Sequence, residues 1–218
     1  MDKVYKRGIL SLITVGNKKI GKDTLIFNTS TATHCPSETR GLCKVADICY
    51  AKRDETLYPS AYSLHSDQHF AWNGISAEDF AEVIQEKVHR QKTPIKYFRY
   101  NMAGDVSSQK DIDKIVKIAE LIPEIIFYIY TCRADLGWVY AMETKNLIVN
   151  GSTLLYDNEF TTVTGILIGT KHACIMPVDK DEWEAPVKNT SIAVCNGDCR
   201  VCNLCKVKGG KIIYVVKH

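Results

Sequence analysis

The chain has 218 residues, enough for one large domain or two small ones and for a sizeable hydrophobic core. Its 28 basic and 25 acidic side chains leave a net charge of +3, which indicates neither nucleic acid nor an anionic membrane as a partner. No apolar run approaches the ~20 residues of a membrane helix. Residues 1–12 carry three basic side chains but no long apolar stretch and no small-residue cleavage site, so the expected location is the cytoplasm.

In chain order, residues 24–28 (TLIFN) read as a short apolar strand. A polar stretch with Cys35, Cys43 and Cys49 follows, and CYA from Cys49 is a helix start. Residues 59–72 are weakly helical. Over residues 77–89 the helix signal strengthens: Ser76 and Asp79 make a capping-box-like start, and Phe80, Val83, Ile84 and Val88 share one face. Pro94 breaks the chain before residues 96–100 (KYFRY), a strand. A loop over 101–106 (NMAGDV) leads to Ser108 and Asp111, which open a helix with Ile112, Ile115, Val116 and Ala119 at helical spacing. Pro123 ends it. Residues 125–130 (IIFYIY) suit a strand buried on both faces, as in parallel sheets, and 146–150 and 165–169 read as further strands.

This alternation is the α/β signature, with functional residues expected at the carboxyl ends of the strands. A complete eight-stranded barrel typically takes about 250 residues. A partial (β/α) barrel or an open, mostly parallel sheet is therefore expected. The core would span residues 1–190, with a cysteine-rich segment over 191–218 packed on it.

Nine cysteines are the anomaly of the composition: the number is odd and seven of them are clustered. In a reducing compartment such clusters bind metal or do redox chemistry more often than they pair. Cys195, Cys199, Cys202 and Cys205 lie within eleven residues. That run suits a cubane [4Fe–4S] cluster, whose ligands meet the corners of one compact object. Structural zinc normally takes two CxxC pairs with a long spacer, which is missing here, and redox-active or incidental thiols are the third reading. Cys35, Cys43 and Cys49 are spaced more loosely. Three cysteines can hold a [4Fe–4S] cluster with one iron left for a substrate or cofactor, or they can be buried thiols of the core. Cys132 and Cys174 are unassigned.

Gly104 and Asp105, at the end of the KYFRY strand, can bind a cationic group of a cofactor or form a turn with a helix-capping aspartate. Arg99 can pair with a carboxylate inside the fold or with an anionic substrate. His65 and His69 have the i, i+4 spacing of a two-histidine metal site but no HExxH context. His34 and the basic tail of Lys206, Lys208, Lys211 and Lys217 read as solvated surface.

Several blocks resemble the gene product 88 family of phage and mobile-element proteins. They are FNT at 27–29, Cys35-Pro36, Cys43, Cys49-Tyr50-Ala51, FRYNMAGDVSSQ at 98–109, FYIYT at 127–131, CRVCNLC at 199–205 and a last strand ending at His218. The resemblance implies a phage or prophage origin, hence a host cytoplasm, and a metal-binding cysteine framework, without a settled activity. The chain also resembles, in architecture, the radical S-adenosylmethionine enzymes. Those place three cysteines after the first strand and a Gly-Gly-Glu-like motif after the second, and many add a C-terminal cluster. The x7 and x5 spacings here depart from their usual C-x3-C-x2-C. This second resemblance implies adenosylmethionine as cofactor with Asp105 at its amino group. It also implies an oxidoreductase or transferase supplied by flavodoxin or ferredoxin and acting on an unknown substrate. The alternatives are clusters that are structural or electron-carrying, and a zinc-stabilised module binding nucleic acid or a host protein.

Overall fold

The apolar runs at 24–28, 96–100 and 125–130 lie side by side in parallel, as strands with two covered faces do. A computed structural model describes residues 3–43, 45–152, 174–178, 192–208 and 212–216. Within them, β1 (Thr14–Val15), β2 (Thr24–Phe27), β3 (Tyr97–Tyr100), β4 (Ile126–Thr131), β5 (Leu147–Ser152), β6 (Cys174–Val178), β7 (Ile192–Val194) and β8 (Ile212–Val216) form one sheet. Their order is β1-β2-β3-β4-β5-β6-β8-β7, and every neighbouring pair is parallel except β1 with β2. Among the described residues the sheet is open: β1 and β7 are its edges, and no pairing closes it into a barrel. The strand expected at 165–169 lies outside the described residues. The cysteine-rich segment 195–208 follows β7 and precedes β8, so it is bounded by strands of the main sheet.

The helices are α1 (Lys3–Leu12), α2 (Pro36–Thr39), α3 (Tyr50–Leu57), α4 (Pro59–Gly74), α5 (Ala77–His89), α6 (Gln109–Leu121) and α7 (Val139–Glu143). α5 starts where its cap predicts, with Asp79 N donating to Ser76 Oγ over 3.1 Å. α6 opens on a reciprocal capping box between Ser108 and Asp111. α4 is a full helix of 16 residues, begun by Pro59 and burying His65, Gln68, Ala71 and Trp72.

Side chains alternate across the strands, so the sheet has two different faces. Leu25, Phe27, Phe98, Tyr100, Phe127, Ile129, Leu147 and Val149 enter the main core with Trp72, Phe80, Ile84, Ile112 and Ile115 from the helices. Aromatic rings dominate it: Phe27–Phe80 centroids are 4.8 Å apart, Phe98–Tyr100 4.9 Å and Trp72–Phe80 5.6 Å. Each such pair adds about 0.5–1.5 kcal/mol beyond area burial. The strand register gives the opposite face Thr24, Ile26, Tyr97, Arg99, Tyr128, Tyr130, Ile148 and Asn150. That face is more polar, and the cysteine-rich segment lies against it.

Candidate metal centres at two cysteine groups

After β2 the chain crosses the carboxyl end of β3, and a dense set of hydrogen bonds holds the two loops together. Thr29 N and Oγ1 donate to Asn101 Oδ1 (2.8 and 2.9 Å), Ala103 N to Asn28 Oδ1 (2.9 Å), and Asp105 N to Ser30 Oγ (2.9 Å). The approach is so close that a Cβ on Gly104 would lie 2.6 Å from Ser30 O and 2.7 Å from Thr31 O. Gly104 also has φ +68°, which favours glycine on conformational grounds.

Glu55 of α3 anchors the same loop from the other side. Its Oε1 accepts from Ala32 N at 2.7 Å, and Oε2 accepts from Thr33 N at 2.8 Å and Thr33 Oγ1 at 2.7 Å. His65 Nδ1 lies 2.7 Å from Oε1; a carboxylate only accepts, so this nitrogen carries the proton. Burial alone would raise the Glu55 carboxyl, but the bonds from Ala32, Thr33 and His65 outweigh it and hold the group below its ordinary value. His69 Nδ1 meets Thr29 O at 2.7 Å. The two histidines thus serve as separate anchors of the loop after β2, and His34 lies against Thr31 Oγ1 at 3.3 Å.

Cys35 caps α2, and the chain returns so that Cys43 N donates to Ser37 O over 3.2 Å. The Cys43 side chain is hydrogen-bonded to Cys132, which directly follows β4. Asp105, 3% exposed, ties these parts together. Its Oδ2 accepts from Ser37 Oγ (2.6 Å) and Cys132 N (2.8 Å), and its Oδ1 from Val106 N (2.8 Å). Burial raises this carboxyl, and the bonds from Ser37, Cys132, Val106 and Thr131 offset part of the rise. Burial likewise pushes the Cys35 thiol up to about 11, while the bond with Cys132 brings Cys43 down to about 7. Cys49 caps α3 and packs on Ala32, Ala51 and Ala103 beside a cleft of about 420 Å³. Cys132, unassigned from sequence, thus joins the N-terminal group; its position at a strand end was the signal available.

The second group follows β7. Cys199 N donates to Lys19 O at 2.9 Å, Cys202 N to Asp198 O at 3.2 Å, and a 3-10 turn spans Leu204–Lys206. Asn150 Nδ2 of β5 donates to Cys205 O over 3.1 Å. Burial pushes the Cys205 thiol up to about 11, opposed by a bond with Tyr130 and reinforced by Cys195, Cys199 and Cys202 close by. Cys205 therefore lies against Tyr130, with Cys195, Cys199 and Cys202 near it in the same segment. Among the described residues, no three His, Cys, Asp or Glu side chains stand as close together as a single ion requires. A cubane holds its thiolates around a larger object than one ion. Lys206 departs from its expected solvated position: it is 4% exposed, donates to Cys199 O at 2.8 Å, and sits 4.2 Å above the Tyr97 ring. Arg99 forms no ion pair with a carboxylate among the described residues; its guanidinium carbon lies 4.8 Å over the Tyr130 ring, and its Nε is buried without a partner. Cys174 enters β6, and its side chain lies outside the described residues.

Fold and site together define a class: an open parallel α/β sheet with one cysteine group at its strand ends and a second on its polar face. The chain belongs to the gene product 88 family, whose model matches residues 10–207 and so takes in both groups. Comparison with curated proteins and with solved structures gave no match. Among the described residues, no helix is long and apolar enough to cross a membrane.

Proposed function

We propose that this is an iron–sulfur protein, with one [4Fe–4S] cluster on Cys195, Cys199, Cys202 and Cys205 and a second on Cys35, Cys43 and Cys49. The observation that carries the reading is one segment that holds four half-buried cysteines, three of them near Cys205, a donor set made only of soft thiols. Such clusters supply one-electron transfer when bound and, where one iron lacks a protein ligand, reductive cleavage of adenosylmethionine.

The chain's own residues have positioning roles in this reading. Glu55 and Asp105 fix the loop of Cys35 against α3 and β4, and Gly104 lets the loops after β2 and β3 touch. The radical-enzyme form of the proposal rests on the three N-terminal cysteines and the α/β sheet. The Asp105 oxygens are already engaged by Ser37, Val106 and Cys132, so the cofactor's amino group is not assigned to Asp105. A flavodoxin or ferredoxin would be the electron donor in that form.

The test is anaerobic purification with iron and sulfide analysis. Brown protein is expected, losing about half its iron when either cysteine group is replaced by alanine. Colourless protein with stoichiometric zinc would refute the reading. Incubation with reductant and adenosylmethionine then separates the catalytic form, which yields 5′-deoxyadenosine, from the electron-carrying or structural form, which does not.

A further inference from the structure

Two cations lie under the four-cysteine segment, and neither forms an ion pair with a carboxylate among the described residues. Lys206 belongs to the segment itself and turns inward, with Nζ donating to Cys199 O and resting over Tyr97. Arg99 reaches it from β3, over the Tyr130 ring, with Cys199 close enough to act on it electrostatically. Tyr130 in turn is bonded to Cys205. Stacking on tyrosine rings recovers part of the cost of burying these charges. It does not supply a counter-charge, and no carboxylate of the described residues gives one to Lys206, which is buried, or to Arg99, which is half-buried with its Nε enclosed. The orphaned Arg99 Nε marks the same deficit from the hydrogen-bonding side.

We infer that Arg99 and Lys206 are the counter-charge for an anionic metal–thiolate group on Cys195, Cys199, Cys202 and Cys205, and that they set its reduction potential. The inference rests on the iron–sulfur reading of that site. Four thiolates outweigh the positive charge of a cubane core, so the assembled site is anionic where the protein places the buried Lys206 and the half-buried Arg99. Reduction adds one electron and one negative charge. Fixed cations beside the site favour that more negative form, which raises the potential. Both residues are positioning residues here, acting through charge.

The experiment is a dithionite titration of the anaerobically reconstituted full chain, followed by electron paramagnetic resonance, for wild type, Arg99→Gln, Arg99→Lys and Lys206→Met. Arg99→Gln is expected to lower the reduced-to-oxidised ratio at a fixed potential about tenfold, which is about 59 mV for one electron. Lys206→Met should shift it in the same direction, and Arg99→Lys should keep most of the wild-type value. A purely structural role would lower thermal stability and leave the midpoint where it was. Unchanged midpoints in Arg99→Gln and Lys206→Met, with full iron and sulfide, would overturn the inference. If Arg99→Gln does not fold, Lys206→Met decides it. If the wild type contains zinc and no sulfide, the iron–sulfur reading and the redox role both fall. The charge-balancing role is then read from zinc release to EDTA: faster release from the same variants upholds it, and equal release removes it.

Discussion

Replacing Glu55 by glutamine tests whether one buried carboxylate holds the first cysteine loop in place. The carboxylate offers two oxygens to four donors: Ala32 N, Thr33 N, Thr33 Oγ1 and His65 Nδ1. A glutamine offers one oxygen and an amide nitrogen that must face half of those donors. In its better orientation the nitrogen points at His65, which can change tautomer and accept, but Ala32 N–H then has no acceptor. One orphaned buried N–H costs about 1–3 kcal/mol, and the remaining bonds lose their charge assistance, so about 2–3 kcal/mol is expected in total. The pH dependence has a definite sign. The Glu55 carboxyl is held below its ordinary value of 4.5 in the folded chain. Its stabilisation is therefore complete above that value and fades as the pH falls through the folded one. The stability gap between wild type and Glu55→Gln should be flat above about pH 5 and close on further acidification. Urea unfolding at several pH values gives the gap, and hydrogen exchange at Ala32 and Thr33 locates it. An unchanged urea midpoint together with unchanged protection of those two amides would refute the anchoring role.

Gly104→Ala forces a Cβ into Ser30 and Thr31 at a positive φ, and should cost more than about 2 kcal/mol in thermal or urea unfolding. Asp105→Asn leaves one of the donors Ser37 Oγ, Cys132 N and Val106 N without its acceptor; a cost of about 1–3 kcal/mol is expected and, on the proposed iron–sulfur reading, less iron retained by the N-terminal group under chelator challenge. Lys114→Met removes a half-buried cation that sits 4.1 Å over Trp72 and donates to Trp72 O and Ile75 O at the end of α4. It should lower the unfolding midpoint by about 1–3 kcal/mol equivalent and speed exchange at the α4 C-terminus, whereas equal stability would deny the clamp.

The helices α5 and α6 and the strands β2 to β5 were legible because each carries a cap or an apolar run long enough to show a period. α1 was not, since Gly8 and Ser11 weaken its propensity; packing of Ile9 and Leu10 into the core decides it. β1, of two residues, and α7, of five, are too short to have a period at all. The clustering of the two cysteine groups could be read from spacing. The meeting of Cys43 and Cys132 could not, because it depends on which strand end lies beside the first loop. Aspartates in the NMAGDVSSQKD stretch divided their work in a way spacing left open: Asp111 caps α6, while Asp105 clamps loops. Lys206 was misread for a general reason. Charge normally means solvent, and only the tyrosine face beneath the segment makes an inward lysine tolerable.

The strand order also affects what the end of the described chain does. β8 is last in sequence, yet it lies between β6 and β7, so the sheet is finished by insertion. Among the described residues β7 pairs with β8 alone, and the cysteine segment is tethered on one side by β7 and on the other by β8. Cutting the chain before Ile212 would therefore remove an interior strand, take from β7 the strand it pairs with, and leave the four-cysteine loop untethered on its C-terminal side.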